Sequence, residues 1–130
     1  MDRLGLSNYQ AAGIAGVIMS ESGFKHNIFN KAEKSGKLPS SKANGSGYGA
    51  GYLQWSMGRK NQALKLIGKE GSNIEDLSPE DQVEMIIKEL EGPYKNTLEG
   101  IRKSRNAREA AATMYCHNVA GYSSSKNPAT

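Results

Sequence analysis

The chain has 130 residues, 37% of them apolar, with 15 glycines, a single cysteine and a formal net charge of +4. That length suits one domain with one core, a lone cysteine excludes an internal disulfide, and no stretch approaches the roughly 20 apolar residues of a membrane-spanning helix. The charge is unevenly spread. Nine basic residues and one acid, Glu33, lie between Ser22 and Lys69, whereas eight acids and two lysines lie between Glu75 and Glu99. A cationic first half suits an anionic polymer, and both nucleic acid and bacterial cell wall qualify.

In chain order, Ser7-Asn-Tyr-Gln10 reads as a capping box that opens a helix through Ala11, Ile14, Val17 and Ile18. Gly13 and Gly16 lower its propensity, yet permit close approach of a neighbouring helix. The apolar run Ala11–Met19 lacks a basic leader and a cleavage site, which argues against a signal peptide. Gly23 is the expected stop. Residues 25–51 read as irregular, with turn chemistry at 34–41 and four glycines between Asn44 and Gly51. No Lys-Ser or Lys-Thr follows these glycines, so they are read as a short hairpin or wide loop into Tyr52-Leu-Gln-Trp55, not a phosphate cradle.

Ser56 is expected to cap a helix to about Ile67, and Ser78-Pro79-Glu80-Asp81 to start another that ends at Gly92-Pro93. A further helix is expected from Tyr94 to about Lys103. Asn106–Glu109 is a capping signal before Ala110–Tyr115, and Ser123–Thr130 reads as a tail or linker. The sum is about five helices around a Gly-rich lobe.

Glu21 follows Ile18 by three residues, Val17 by four and Ile14 by seven, so it projects along the apolar face at the helix C-terminus. Partial desolvation and the negative end of the helix dipole both favour the protonated acid there, as a general acid requires. A solvated glutamate just beyond a helix end is the plainer reading of the same pattern. The second informative stretch is Gly47-Tyr-Gly-Ala-Gly-Tyr-Leu-Gln-Trp55. Its aromatic rings offer flat faces to sugars, and Gln54 can both donate to and accept from hydroxyl or acetamido groups. Stacking on nucleic-acid bases is the competing use, and closing the edge of the core is the structural one, above all for Tyr52 and Leu53. Cys116, among Met114, Tyr115 and His117, is expected to be a buried thiol. His26 and His117 lie far apart without a partnering Cys or Asp pattern, so neither a metal site nor a cofactor is expected.

The segments "GLSNYQAAGIAGVIMSESGF" and "GYGAGYLQWSMGR" resemble the phage tail lysozyme family, within the superfamily that also holds goose-type lysozymes and soluble lytic transglycosylases. The match is close over residues 4–70 and rests on helical layout over 71–122. Two departures are Gly16-Val17, where the family commonly has Gly-Asn, and a Lys-rich insertion between Glu21 and Gln54.

The resemblance implies an α+β, lysozyme-like fold, predominantly helical, with one catalytic domain over 1–122. It implies Glu21 as the catalytic acid, Ser22 beside it, Tyr48, Gln54 and Trp55 on the substrate-lining loop, and Arg59 as a structural arginine. Asn118 and Tyr122 match a transglycosylase substrate element, with one extra residue interrupting the motif. The implied activity is cleavage of peptidoglycan between N-acetylmuramic acid and N-acetylglucosamine, by a muramidase or by a lytic transglycosylase. A wall-binding tail module without activity is the alternative from another class. Single-stranded nucleic-acid binding draws on the lysines and aromatics but is not expected. Glu33 is the candidate second carboxylate, because it is the sole acid between Glu21 and Glu70. Flanked by Lys31 and Lys34, it reads equally as a member of a surface ion pair. The expected partners are peptidoglycan, other phage tail proteins or further domains of the same chain. The expected location is the virion, or the cell wall as a released lysin.

Overall fold

The computed structural model describes residues 2–38 and 45–123, except for the side chains of Asp2 and 117–123. Among the described residues six α-helices form: α1 Asn8–Ser22, α2 Lys31–Lys34, α3 Met57–Leu66, α4 Pro79–Glu91, α5 Lys95–Arg102 and α6 Ala107–Ser123. Local chemistry sets the starts of α1, α4 and α6, whereas Ser56 precedes α3 without the expected side-chain capping bond. At α1 the Ser7 hydroxyl accepts from the Gln10 amide at 3.4 Å, while the Gln10 side chain accepts from the Ser7 amide at 3.0 Å. Gly23, left-handed at φ 62°, stops the helix by donating its N–H to the Met19 carbonyl. The Ser78 hydroxyl caps α4 through the Asp81 amide, with Pro79 in the first turn. The Asn106 side chain accepts from the Glu109 amide at 2.9 Å, so α6 begins before Ala110, and it runs well past Tyr115.

The largest helix–helix contact is between α1 and α6. The two run side by side in the same sense: Gln10 donates to the Arg102 carbonyl just before α6, Gly13 faces Ala107 and Ala110, and Ser20 shares a groove with Tyr115. A Cβ added at Gly13 would stand 2.6 Å from both the Ala110 Cβ and the Ala111 backbone nitrogen. Only a residue without a side chain permits this separation. Gly16 is different, because a Cβ there meets nothing within 4 Å. The core beneath this seam joins Ile14, Val17 and Ile18 of α1 to Leu53, Trp55, Leu64, Met85, Ile86, Leu90, Ile101 and Met114.

The expected β component is corrected. Among the described residues there is no strand, only isolated antiparallel bridges pairing Ala50 with Phe29 and with Trp55. Ala50 and Trp55 exchange both backbone hydrogen bonds, at 3.0 and 2.9 Å, and the turn between them closes at once. Gly51 at φ 80° and Gln54 at φ 51° bend the chain too sharply for a second pair to form. The fold is therefore helical, with an irregular Gly-rich run from Gly45 to Trp55. Cys116 is a second correction, since its thiol is exposed. Met114 is the buried residue of that turn of α6, and Tyr115 and Cys116 point outward. The expected linker 123–130 lies, apart from Ser123, outside the described residues.

Candidate functional site

Glu21 occupies the last turn of α1, half-buried, one turn beyond the buried Val17 and Ile18. Its helix ends here because Gly23 reverses the backbone, and Ser22 closes the turn from inside. The buried Ser22 hydroxyl donates to the Ile18 carbonyl at 2.9 Å and holds the helix end.

The segment that leaves Glu21 is tied first to α4 and then to the Gly-rich run. The His26 carbonyl accepts from the Gln82 side chain at 2.7 Å, and the Ile28 carbonyl accepts from the Gly51 amide at 2.9 Å. The Asn30 amide donates to the Gly49 carbonyl at 2.9 Å. One continuous hydrogen-bonded path thus links the helix end bearing Glu21 to the turn bearing Gln54. Gln54 is itself half-buried, and its amide nitrogen donates to the Gly51 carbonyl at 3.0 Å.

Glu33 does not lie on a solvated loop. It is buried on the single turn of α2, and its Oε1 accepts from the Gly49 amide at 3.0 Å. A burial that leaves the carboxylate hydrogen-bonded to backbone is the usual condition for a charge inside a protein. Lys34, next in sequence, pairs with Glu75 at 3.1 Å.

Tyr48 is buried at the centre of this arrangement. Its hydroxyl donates to Glu75 Oε2 at 2.5 Å, the Lys60 ammonium stands 3.2 Å from its ring centroid, and Phe29 meets it edge-on at 5.9 Å. Burial, with the Glu75 carboxylate bonded to it, pushes the Tyr48 hydroxyl far above the usual phenol range. Burial alone would raise the Glu75 pKa, but the hydrogen bonds from Tyr48, its own backbone amide and Lys34 outweigh it and hold the carboxyl below the usual range. Burial pulls the Lys60 ammonium down, opposed by Glu75 and reinforced by Lys34. Two lysines and two carboxylates, from α2, α3 and the turn before α4, therefore clamp the loop that carries Tyr48.

Trp55 has no exposed surface. Its indole N–H donates to Glu89 Oε1 at 3.2 Å, placing the ring in the core and not on a solvent-facing wall. Arg59 grips the same carboxylate with two hydrogen bonds, at 3.0 and 2.9 Å, and is structural as the resemblance implied. The side chains of Asn118 and Tyr122, like that of His117, lie outside the described residues; their backbone belongs to α6. Among the described residues no group of three His, Cys, Asp or Glu is placed to hold a metal ion. No helix among them is long and apolar enough to cross a membrane.

Three buried polar residues went unnoticed in the sequence. Gln82, without exposed surface, accepts from the Tyr52 amide at 2.9 Å and donates to the carbonyls of His26 and Ile74. Glu75 and Glu89 are the others. Gln82 and Glu89 precede or follow Met85 and Ile86 by three or four residues, the same apolar-stripe position that singled out Glu21. Glu75 carries no such periodic signal.

No curated protein and no solved structure gives a significant match to this sequence. A family model described as phage tail lysozyme matches residues 1–127. This match extends the resemblance read from residues 4–70 across nearly the whole sequence, and it suggests lysis of peptidoglycan. The chain belongs to the phage tail lysozyme family.

Proposed function

We propose that the protein is a muramidase that cleaves the β-1,4 bond between N-acetylmuramic acid and N-acetylglucosamine in peptidoglycan, with Glu21 as the general acid. The observation that carries this reading is a half-buried glutamate on the terminal turn of α1 in a lysozyme-family chain, followed by a segment whose backbone is hydrogen-bonded to the Gly-rich turn. In the first step Glu21 delivers its proton to the bridging oxygen as the C1–O bond breaks and positive charge develops at the sugar ring. The resulting carboxylate then takes a proton from the nucleophile that attacks C1. If that nucleophile is water, the product is a reducing sugar. If it is the 6-hydroxyl of the same muramic acid, a 1,6-anhydro ring forms.

One observation supports the second route, lytic transglycosylation. Glu33 is buried and bonded to the Gly49 amide, which suits loop support better than activation of a water molecule. A single carboxyl acting first as acid and then as base needs no second one. Mass spectrometry of digested peptidoglycan separates the routes, because the anhydro product is lighter by one water, about 18 Da. Glu21→Gln keeps the shape and removes the transferable proton, so wall clearing falls by at least ~100-fold. Clearing at the wild-type rate by that variant refutes Glu21 as the general acid, whereas a wall-binding module without activity predicts no clearing by the wild type either.

A further inference from the structure

We propose that Phe24 is a glycan-stacking residue beside Glu21, presenting its ring to the apolar face of a pyranose in the substrate strand; this rests on the peptidoglycan-cleaving reading above. Phe24 combines two unfavourable features. Its ring is 46% exposed, and its backbone sits at φ 63°, in the left-handed region that a bulky L-residue rarely adopts. The ring joins neither the core nor the residues packed against it, and glycine would hold the same turn without strain.

The turn is nevertheless fixed on both sides. Gly23 donates to the Met19 carbonyl at 2.8 Å and Lys25 donates to the Ser22 carbonyl at 3.1 Å. Two residues on, the His26 ring meets the Leu77 carbonyl at 3.0 Å, and the His26 carbonyl accepts from Gln82. A strained residue persists where its surroundings over-determine it, and such residues cluster at ligand sites. Three residues of chain span at most about 11 Å, so the Cα atom of Phe24 lies no farther than that from the Cα atom of Glu21. Met19 and Ile28, five and four residues from Phe24 along the chain, are also exposed, at 54% and 38%. The C–H faces of a hexopyranose stack on such a ring, and the proton donor then lies beside the bound strand.

The test uses the full chain carrying Glu21→Gln, which binds without turnover, and a soluble tetramer of N-acetylglucosamine as the probe. Phe24→Gly is expected to weaken calorimetric binding about tenfold while raising the urea midpoint, because the left-handed strain is relieved. Phe24→Tyr keeps the ring and restores binding. The proposal is overturned if Phe24→Gly binds as tightly as its parent, the result expected of a ring that docks another protein. It is also overturned if Phe24→Gly lowers the urea midpoint, or if the parent fails to bind the tetramer. The two readings fail separately. Clearing by Glu21→Gln alone removes the general acid, whereas an inactive Glu21→Gln beside a Phe24→Gly enzyme with unchanged KM removes only the stacking role.

Discussion

A carboxyl on the apolar stripe of a helix has two quite different uses in this molecule. Glu21 sits on that stripe at the end of α1, and Glu89 sits on it within α4, where it takes the Arg59 guanidinium and the Trp55 indole. The two are indistinguishable by periodicity; Arg59, the partner of Glu89, stands 30 residues away in the chain, and only the tertiary structure brings them together. Removing one member of such a buried pair strands the other. Glu89→Ala is therefore expected to cost about 3–5 kcal/mol of stability, read from urea unfolding. The double variant Glu89→Leu/Arg59→Met should recover most of that loss. The same limit explains Trp55. Its place beside Gln54 in an aromatic, Gly-rich loop suggested a sugar platform, yet its indole faces Glu89 inside the core. Glu75 was illegible for another reason: its partners Lys34 and Tyr48 come from a single helical turn and an irregular loop, neither long enough to show a period. Its folded pKa lies below the ordinary value of 4.5, so its contribution to stability is fully present above that pH and is lost as pH falls through the folded pKa. The urea midpoint of the wild type should fall on acidification below about pH 4.5 more steeply than that of Glu75→Gln.

At the scale of elements, the start and stop signals were the most legible part of the chain. The capping box at Ser7, the stop at Gly23 and the Ser78-Pro79 start each formed, because each depends on hydrogen bonds between residues three or four apart. The Gly-rich run was legible as irregular but not as a β element, since four glycines limited its pairing to single bridges. The two glycines of α1 were read alike, as permitting close approach, and the structure divides them. Gly13 touches α6, whereas Gly16 faces an open groove of about 340 Å³ lined by Val17, Ser20, Ala111, Ala112 and Tyr115. Opposite outcomes follow for one substitution. Gly16→Ala should stabilise by about 0.5–1 kcal/mol, because it restricts the unfolded chain and meets no neighbour. Gly13→Ala should destabilise by about 1–3 kcal/mol, because the neighbour it would displace is backbone. Thermal unfolding of the two variants side by side checks both.

Across the whole molecule, the basic first half was legible from charge counting alone. Part of that charge is internal: Lys60 is buried against Tyr48, and Arg59 is paired with Glu89. The remaining exposed lysines, Lys25, Lys31 and Lys37 among them, are those available to an anionic wall. Binding to purified peptidoglycan by the Glu21→Gln protein should therefore weaken as salt rises from 50 to 500 mM, values chosen to shorten the Debye length from about 14 to about 4 Å. Affinity that stays flat over this range would remove electrostatics from wall recognition. The side chains of α4 carry a different consequence for the molecule as a whole. Gln82 and Glu89 lie two turns apart on one face and hold the two ends of the 52–55 turn, through the Tyr52 amide and the Trp55 indole. The turn therefore cannot open while α4 stays folded. In native-state hydrogen exchange, the Tyr52 and Trp55 amides should exchange with the amides of the middle of α4, as one cooperative unit, and not with the exposed ends of neighbouring loops. A loop that looks flexible by its glycine content would then lose its protection only when a central helix does.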